Sequence, residues 1–117
     1  MGYLLGMVEI REYTNPDGGS PFANWFNDLD AQAAAKVATA LIRMEQGNFS
    51  NAKGVGAGVL EYRLDFGPGY RIYFGKDGER LVILLAGGTK KRQQRDIEAA
   101  QARWEDYKQR KQHRGGT

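Results

Sequence analysis

Residues 60–85 constrain the fold more than any other part of the chain, because they have the pattern of three strands joined by two tight turns. Apolar and polar residues alternate along 60–66 and again along 70–74. Since successive side chains of a strand point to opposite faces, this alternation predicts an antiparallel sheet with one buried face. Gly-Pro-Gly at 67–69 and Lys-Asp-Gly at 76–78 supply the turns, because proline presets φ and glycine accepts a positive φ.

The polar positions of these strands predict a functional surface. If the apolar rows face the core, Arg63, Arg71 and Tyr73 share the opposite face and form a cationic patch that contains one aromatic ring. The next strand, residues 80–86, is apolar at successive positions. We therefore expect it to be a central strand that is covered on both sides.

The first half of the chain predicts one strand and two helices. Residues 8–13 alternate as a first strand does, and a dense run of turn residues closes it. Ser20 before Pro21 is the pattern of an N-cap followed by proline at the first helical position. Asp30 is predicted to cap a second, alanine-rich helix over residues 31–46. The stripe expected to face the core consists of Ala34, Val37, Ala38, Leu41 and Met44.

The three predicted strands of residues 60–85 are called the meander below. The segments on either side of it are predicted from their glycines and caps. Residues 48–58 are glycine-rich and are expected to form an irregular, mobile loop that brings Lys53 to the edge of the sheet. A nucleotide P-loop is disfavoured, because Lys53 precedes Gly54 and no capped helix follows. Thr89 is predicted to cap a final helix that runs from about residue 90 to residue 112.

The predicted order of elements is β-α-α-β-β-β-α. It describes an α+β fold, with helices packed against a small, mostly antiparallel sheet. A length of 117 residues suits a single domain over 1–117, with a loose leader at 1–6 and a frayed tail at 113–117. The apolar stretch near the N-terminus is too short for a signal peptide or a membrane span, so we expect a cytoplasmic protein without a membrane partner.

Composition excludes several kinds of site. The chain has no cysteine, and its one histidine, His113, lies in a polar tail, so thiolate metal sites, zinc catalysis and histidine-paired nucleophiles are disfavoured and no cofactor is implied. A net charge of +3 and a pI near 9.3 permit a polyanionic partner without establishing one. A basic cluster follows the last predicted strand directly, and it consists of Lys90, Lys91, Arg92 and Arg95.

The candidate functional residues are arginines, lysines and a tyrosine, which restricts the chemistry. Arginine presents a charged fork that matches phosphate oxygens, and lysine neutralises the same charge. Tyrosine stacks on bases or takes part in proton transfer. The set suits phosphodiester transesterification, in which an RNA 2′-hydroxyl attacks its own phosphate without a metal, and it does not suit acyl transfer or redox chemistry. The alternative is an ordinary solvated face, on which Glu61 and Asp65 pair with Arg63.

Most of the chain from Met7 onward resembles a known family of toxins. The most specific pieces are EYRLDFGPGYRIYF at 61–74 and LLAGGTKKRQQRDI at 84–97, and residues 20–49 resemble the helical pair of the same family. The resemblance is to the RelE/ParE toxin superfamily, and more narrowly to the HigB-like, phage-associated "addiction module killer protein" group. It implies a RelE/ParE-like fold and a type II toxin. Such a toxin is a small ribonuclease that cleaves mRNA, in many members on the ribosome, and that an antitoxin, here expected to be of the helix-turn-helix type, neutralises.

The resemblance also implies roles for individual residues. By match of position, Lys53, Arg63 and Arg71 would hold and polarise the phosphate, and Lys90 would be a further phosphate contact. Several ribonuclease members carry a histidine or an aspartate near the end of the chain as acid or base. Here Asp96, next to Arg95, is interpreted as a paired helix residue, so the proton-transfer roles stay unassigned. The predicted RNA-binding residues are Tyr73, Lys91, Arg92 and Arg95.

Two other functions remain open at the level of the sequence. The same fold hosts ParE-like relatives that inhibit DNA gyrase, and fold alone does not choose between the two targets. A non-catalytic remnant that only binds an antitoxin or nucleic acid is the third reading.

Overall fold

The computed structural model describes residues 7–115 and places five strands and three α-helices in them, in the order β-α-α-β-β-β-β-α. The leader predicted for residues 1–6 lies outside the described residues. The elements are β1 (Glu9–Glu12), α1 (Pro21–Asn27), α2 (Ala31–Glu45), β2 (Ala52–Gly54), β3 (Val59–Leu64), β4 (Tyr70–Lys76), β5 (Leu81–Thr89) and α3 (Gln93–Gly115), with a 3₁₀ turn at Lys90–Arg92 before α3.

The five strands form one mixed sheet, in the order β1-β5-β4-β3-β2. β1 pairs with β5 in parallel, and the other three pairings are antiparallel. The predicted α+β class is confirmed. The predicted order lacked one strand, because β2 lies within the segment that was expected to be an irregular loop. β2 has three residues and no apolar alternation, so its strand conformation comes from pairing with β3 and not from a local pattern.

Side-chain caps begin the first two helices where the sequence predicts them. Ser20 Oγ accepts a hydrogen bond from Ala23 N at 3.0 Å, and Asp30 Oδ1 accepts one from Ala33 N at 2.8 Å. Each bond satisfies a backbone N–H that has no partner within its helix. The first and last residues of α3, the helix on the other face of the sheet, differ from the prediction.

The predicted cap of the last helix is wrong. Thr89 makes no side-chain capping bond, and the three residues after it form the 3₁₀ turn, so α3 begins only at Gln93. The helix then continues to Gly115, beyond the predicted end at residue 112. Residues 113–115 of the predicted frayed tail are therefore helical, and residues 116–117 lie outside the described residues.

The sheet is covered on both faces. α1 and α2 pack on one face, around Phe22, Phe74 and Val82, while α3 packs on the other face, around Trp104 and Leu85. β5 supplies buried residues to both cores, as its apolar run predicts. The buried face of α2 is rotated about the helix axis relative to the predicted stripe. It consists of Ala33, Val37, Ala40 and Met44.

The second layer changes what the meander presents to solvent. α3 lies on the same face of the sheet as the predicted cationic patch, so the prediction that Arg71 and Tyr73 form an open surface is wrong. Arg71 is 4% exposed and Tyr73 is 0% exposed, whereas Arg63 stays exposed. Glycine permits this close docking, because a Cβ at Gly75 would lie only 2.6 Å from the Trp104 ring.

Candidate functional site

Sheet register brings the candidate residues together on one face. Arg63 on β3 lies opposite Arg71 on β4, and Arg71 lies opposite Gly88 on β5. The next row along the strands places Lys53 on β2 opposite Glu61, and Glu61 opposite Tyr73. Because alternate residues of a strand share a face, the two rows form one continuous group at the end of the sheet where β3 ends and β4 begins.

Lys53 and Arg63 form the open part of this group. Both side chains are exposed, and they lie together at the rim of a shallow depression of about 320 Å³. Asp65 lines the same depression, but neither cation forms an ion pair with it or with another carboxylate among residues 7–113. The alternative in which Glu61 and Asp65 neutralise Arg63 is therefore not the arrangement in the structure. Glu61 lies within ion-pair distance of Arg71 instead.

Arg71 lies beneath the open cations and is held by backbone. Its Nη1 donates a hydrogen bond to the carbonyl oxygen of Gly69 at 2.7 Å. The same carbonyl accepts a bond from the backbone N–H of Lys90 at 3.0 Å. Gly69 has a φ of 78°, which glycine adopts readily, so the Gly-Pro-Gly turn serves as the link between Arg71 and Lys90. The four predicted residues Lys53, Arg63, Arg71 and Lys90 thus lie at the same end of the sheet, with Arg71 buried and the other three exposed.

A buried polar cluster lies behind the cations, where the start of α3 meets the sheet. Glu61 is 0% exposed, and its Oε2 accepts a hydrogen bond from Gln93 Nε2 at 2.7 Å and lies 3.6 Å from Arg71 Nε. Three buried polar atoms of this cluster have no hydrogen-bond partner in the described part of the chain. They are Glu61 Oε1, Arg71 Nε and the Tyr73 hydroxyl.

Burial perturbs two acids of this cluster. Burial, and next the neighbouring carboxylate of Glu61, raise the pKa of Tyr73 well above its ordinary value of 10.0, so the phenol stays protonated across the physiological range. Burial also raises the pKa of Asp96 above its ordinary value of 3.8, against the opposing effect of the arginines nearby. The Asp96 carboxylate lies over Gly88, where a Cβ would come within 3 Å of two of its atoms. Asp96 forms no ion pair with the described residues, so its interpretation as a paired helix residue is wrong.

The remaining predicted RNA-binding residues divide between surface and core. Lys91 and Arg92 on the 3₁₀ turn and Arg95 on the first turn of α3 are exposed and form no ion pairs in the described part of the chain. Tyr73 is buried under α3 and presents no ring face to a base in this conformation. The three predicted RNA-binding cations are therefore exposed, whereas the predicted RNA-binding aromatic residue Tyr73 is buried.

Two further cations adjoin the site from α2. Lys36 and Arg43 are exposed, and they line a depression of about 280 Å³ that Arg63 also lines. Neither forms an ion pair with a described residue, and Lys36 Nζ lies 5.3 Å from the centre of the Phe66 ring. The sequence pattern did not identify them, because Lys36 and Arg43 are the ordinary polar side of an amphipathic helix until the fold places that side beside Arg63.

At the opposite end of the sheet most charges are paired, although Arg80 is exposed and forms no ion pair with a described residue. There the carboxylates of Glu9, Asp77 and Asp106 pair with Arg11, Lys111 and Arg110. A larger depression of about 590 Å³ at this end is lined by Trp104 and Tyr107 among others, and it contains none of the predicted site residues. Unpaired positive charge is therefore concentrated at the Arg63 end.

The described residues contain no group of three or more histidine or acidic side chains arranged to hold a metal ion. None of the described helices combines the length and the apolarity needed to cross a membrane.

The fold and the site define a small α+β protein with a cationic end built on the meander and on the start of α3. Comparison with known proteins places it more narrowly. The model of the family "Phage derived protein Gp49-like (DUF891)" matches residues 24–105, and the chain belongs to this family, which is a family of addiction-module toxins. An uncharacterized protein of Haemophilus influenzae is 41% identical over 80 residues, which cover 68% of this chain and 81% of that protein. Membership implies a cognate antitoxin as partner.

Proposed function

We propose that the chain is the toxin of a type II toxin–antitoxin system of the RelE/ParE superfamily, HigB-like, and that it is an endoribonuclease that cleaves ribosome-bound mRNA without a metal. One observation carries the proposal. Lys53 and Arg63, both exposed and without ion pairs in the described part of the chain, lie on the strands beside the buried Arg71, and the backbone of Lys90 shares the Gly69 carbonyl with Arg71. Cations gathered at one end of a sheet suit a phosphodiester that gains negative charge during the reaction.

The reaction is an internal displacement at phosphorus. The RNA 2′-oxygen forms a bond to the adjacent phosphorus, the bond to the 5′-oxygen breaks, and the products are a 2′,3′-cyclic phosphate and a free 5′-hydroxyl. One proton leaves the 2′-oxygen and one reaches the 5′-oxygen, so neither water nor a cofactor is consumed. Arg63 and Lys53 would neutralise the non-bridging oxygens, with Lys90 approaching from the β5 side.

Two acids near the cations, whose pKa values are raised by burial, bear on proton transfer. Tyr73 remains protonated, so its chemistry would be that of a hydrogen-bond donor or an acid, and not of a base. Asp96 is a carboxylate with a raised pKa, but its side chain is packed between the backbone of α3 and Gly88. A direct role of either side chain would require the start of α3 to move away from the sheet.

Long-range charge supports an RNA substrate. Lys91, Arg92 and Arg95 continue the group of exposed cations on one side of the site, and Lys36 and Arg43 continue it on the other. Such a group would follow a phosphate backbone, and its binding would weaken steeply as salt rises.

The test compares Arg63→Ala with Arg80→Ala in a cleavage assay on programmed ribosomes, with cuts mapped by primer extension. Arg80 is a suitable control, because it is also exposed and unpaired among the described residues but lies next to β5 at the opposite end of the sheet. We expect Arg63→Ala to reduce the rate by about 100-fold, the order of effect for removing one charge-stabilising donor, and Arg80→Ala to cleave as the parent does. Equal loss in both variants, or full activity in Arg63→Ala, would contradict the proposal.

Assays of the parent protein distinguish this function from the two alternatives, a DNA gyrase inhibitor and a non-catalytic binding remnant. A gyrase inhibitor leaves the mRNA intact and blocks DNA supercoiling, and a binding remnant retains RNA in a salt-sensitive manner without forming products. Arg71→Ala is a poor choice for this test, because it leaves the buried Glu61 without its cation and endangers the fold.

A further inference from the structure

Glu61 is a carboxylate at a fully buried position, where proteins usually have an apolar side chain. It lies on β3 under α3, with none of its surface exposed, between the buried Val59 and the exposed Arg63 along the strand. A well-packed hydrophobic residue at such a position commonly gives a fold at least as stable as a buried ion pair does. Stability alone therefore does not account for a charge at this position.

The contacts of Glu61 are directed at the candidate site. Its Oε2 lies 3.6 Å from Arg71 Nε and accepts the hydrogen bond from Gln93, while its backbone register sets it opposite Tyr73 and Lys53. The other carboxylate oxygen has no hydrogen-bond partner in the described part of the chain. Buried polar groups without partners are rare in folded proteins, and in this cluster three occur together.

Two contacts act on the Arg71 guanidinium. The Gly69 carbonyl accepts a hydrogen bond from Nη1 at 2.7 Å, and Glu61 attracts the Nε side from 3.6 Å, a distance too long for a hydrogen bond. Together they favour one orientation of the group before any ligand arrives. A donor that is already oriented stabilises developing charge without a reorganisation penalty.

We propose that Glu61 is a positioning residue, which orients the guanidinium of Arg71 toward the phosphate and does not itself touch the RNA. Gln93 fixes the carboxylate in turn, so the first residue of α3 contributes to the site through Glu61. The inference rests on the proposed function for its effect on cleavage, but the arrangement of Glu61 and Arg71 is testable without any activity.

The experiment uses Glu61→Gln, which keeps the size of the side chain and an oxygen that can accept from Gln93, and removes the negative charge. Glu79→Gln is the matched control, because Glu79 is exposed on the β4–β5 turn and forms no ion pair with the described residues. The measurements are the dissociation constant for a short mRNA, the single-turnover cleavage rate on saturated ribosomes, and the NMR signal of the Arg71 Nε–H group.

We expect Glu61→Gln to bind RNA within about threefold of the parent and to cleave about 10- to 100-fold more slowly, the order of loss for a misplaced reacting group. The Arg71 signal should shift in Glu61→Gln and stay unchanged in Glu79→Gln. A purely structural role would lower the folded fraction and leave the rate per folded molecule unchanged. If Glu61→Gln does not fold, Gln93→Leu provides the second route, with the same pattern at smaller amplitude.

Several results would overturn the inference. These are an unshifted Arg71 signal, a parental cleavage rate in a folded Glu61→Gln, or a loss that lies entirely in RNA affinity. If the parent protein cleaves no RNA, the proposed function fails, while the NMR comparison still decides whether Glu61 orients Arg71.

Discussion

The packing of α3 against the sheet depends on the absence of a side chain at Gly75, and the substitution Gly75→Ala tests this. An added Cβ would lie 2.6 Å from three atoms of the Trp104 ring, whereas carbon atoms in contact are separated by about 3.5–4.0 Å. The ring would therefore have to retreat by about 1 Å. It is 6% exposed and stacks on Tyr107 with ring centroids 5.2 Å apart, so its retreat would also displace Tyr107 or α3.

The magnitude follows from two opposing effects. Overpacking of a core costs about 1–3 kcal/mol, and replacing a strand glycine by alanine returns roughly 0.5–1 kcal/mol of backbone entropy. With mid-range values for both effects, we expect a net decrease of about 1 kcal/mol in the free energy of unfolding, and a melting temperature lower by about 4 °C. The assay is urea unfolding followed by far-UV circular dichroism.

Gly54→Ala is the matched control, because a Cβ at Gly54 meets no atom within 4 Å and the residue lies in the edge strand β2. It should be neutral or slightly stabilising. In the background Trp104→Leu, the penalty of Gly75→Ala should disappear, since the ring that it opposes is gone. If Gly75→Ala and Gly54→Ala agree within about 0.5 kcal/mol, or if the penalty persists without the indole, the assigned contact is not the cause.

Two further changes test the helix ends. Ser20→Ala should lower the free energy of unfolding by about 1 kcal/mol by removing the cap bond to Ala23 N, while Thr39→Ala, which removes an exposed hydroxyl from α2, should have little effect; equal losses would refute the cap. Asp96→Asn should stabilise the fold at pH 7, because burial raises the pKa of Asp96 and the charged form is therefore disfavoured in the folded state. The gain should fade as the pH drops through the raised pKa of the folded state, and it should be absent below the ordinary carboxyl value of 3.8, so urea midpoints that do not converge at low pH would contradict the assignment.

Local pattern determined the elements whose signals lie within a few residues of one another. The caps at Ser20 and Asp30 are correct, because a cap is a contact between residues three apart. The strands of the meander and the interior position of β5 in the sheet follow from alternation and apolar runs. These features depend on the polypeptide's own periodicity, and tertiary structure leaves them unchanged.

The faces of the meander were only half determined by the same pattern. Alternation separates Arg63, Arg71 and Tyr73 from the apolar rows, and register places them together as predicted. It does not say what covers their side of the sheet. That was decided by α3, whose buried residues Ala100 and Trp104 are separated by one helical turn and pack in one cluster with Tyr73 on that face.

The short strand β2 and the role of Glu61 belong to tertiary structure alone. The three residues of β2 are too few to show the alternation that predicts a strand. Their extended conformation depends on pairing with β3. A glutamate in an alternating strand has the same sequence pattern whether it is solvated or buried. The sequence by itself therefore determined which cations share one face of the sheet. Only the packing of α3 decided that Arg71 lies inside and Arg63 outside, because burial is set by long-range contacts that no local period encodes.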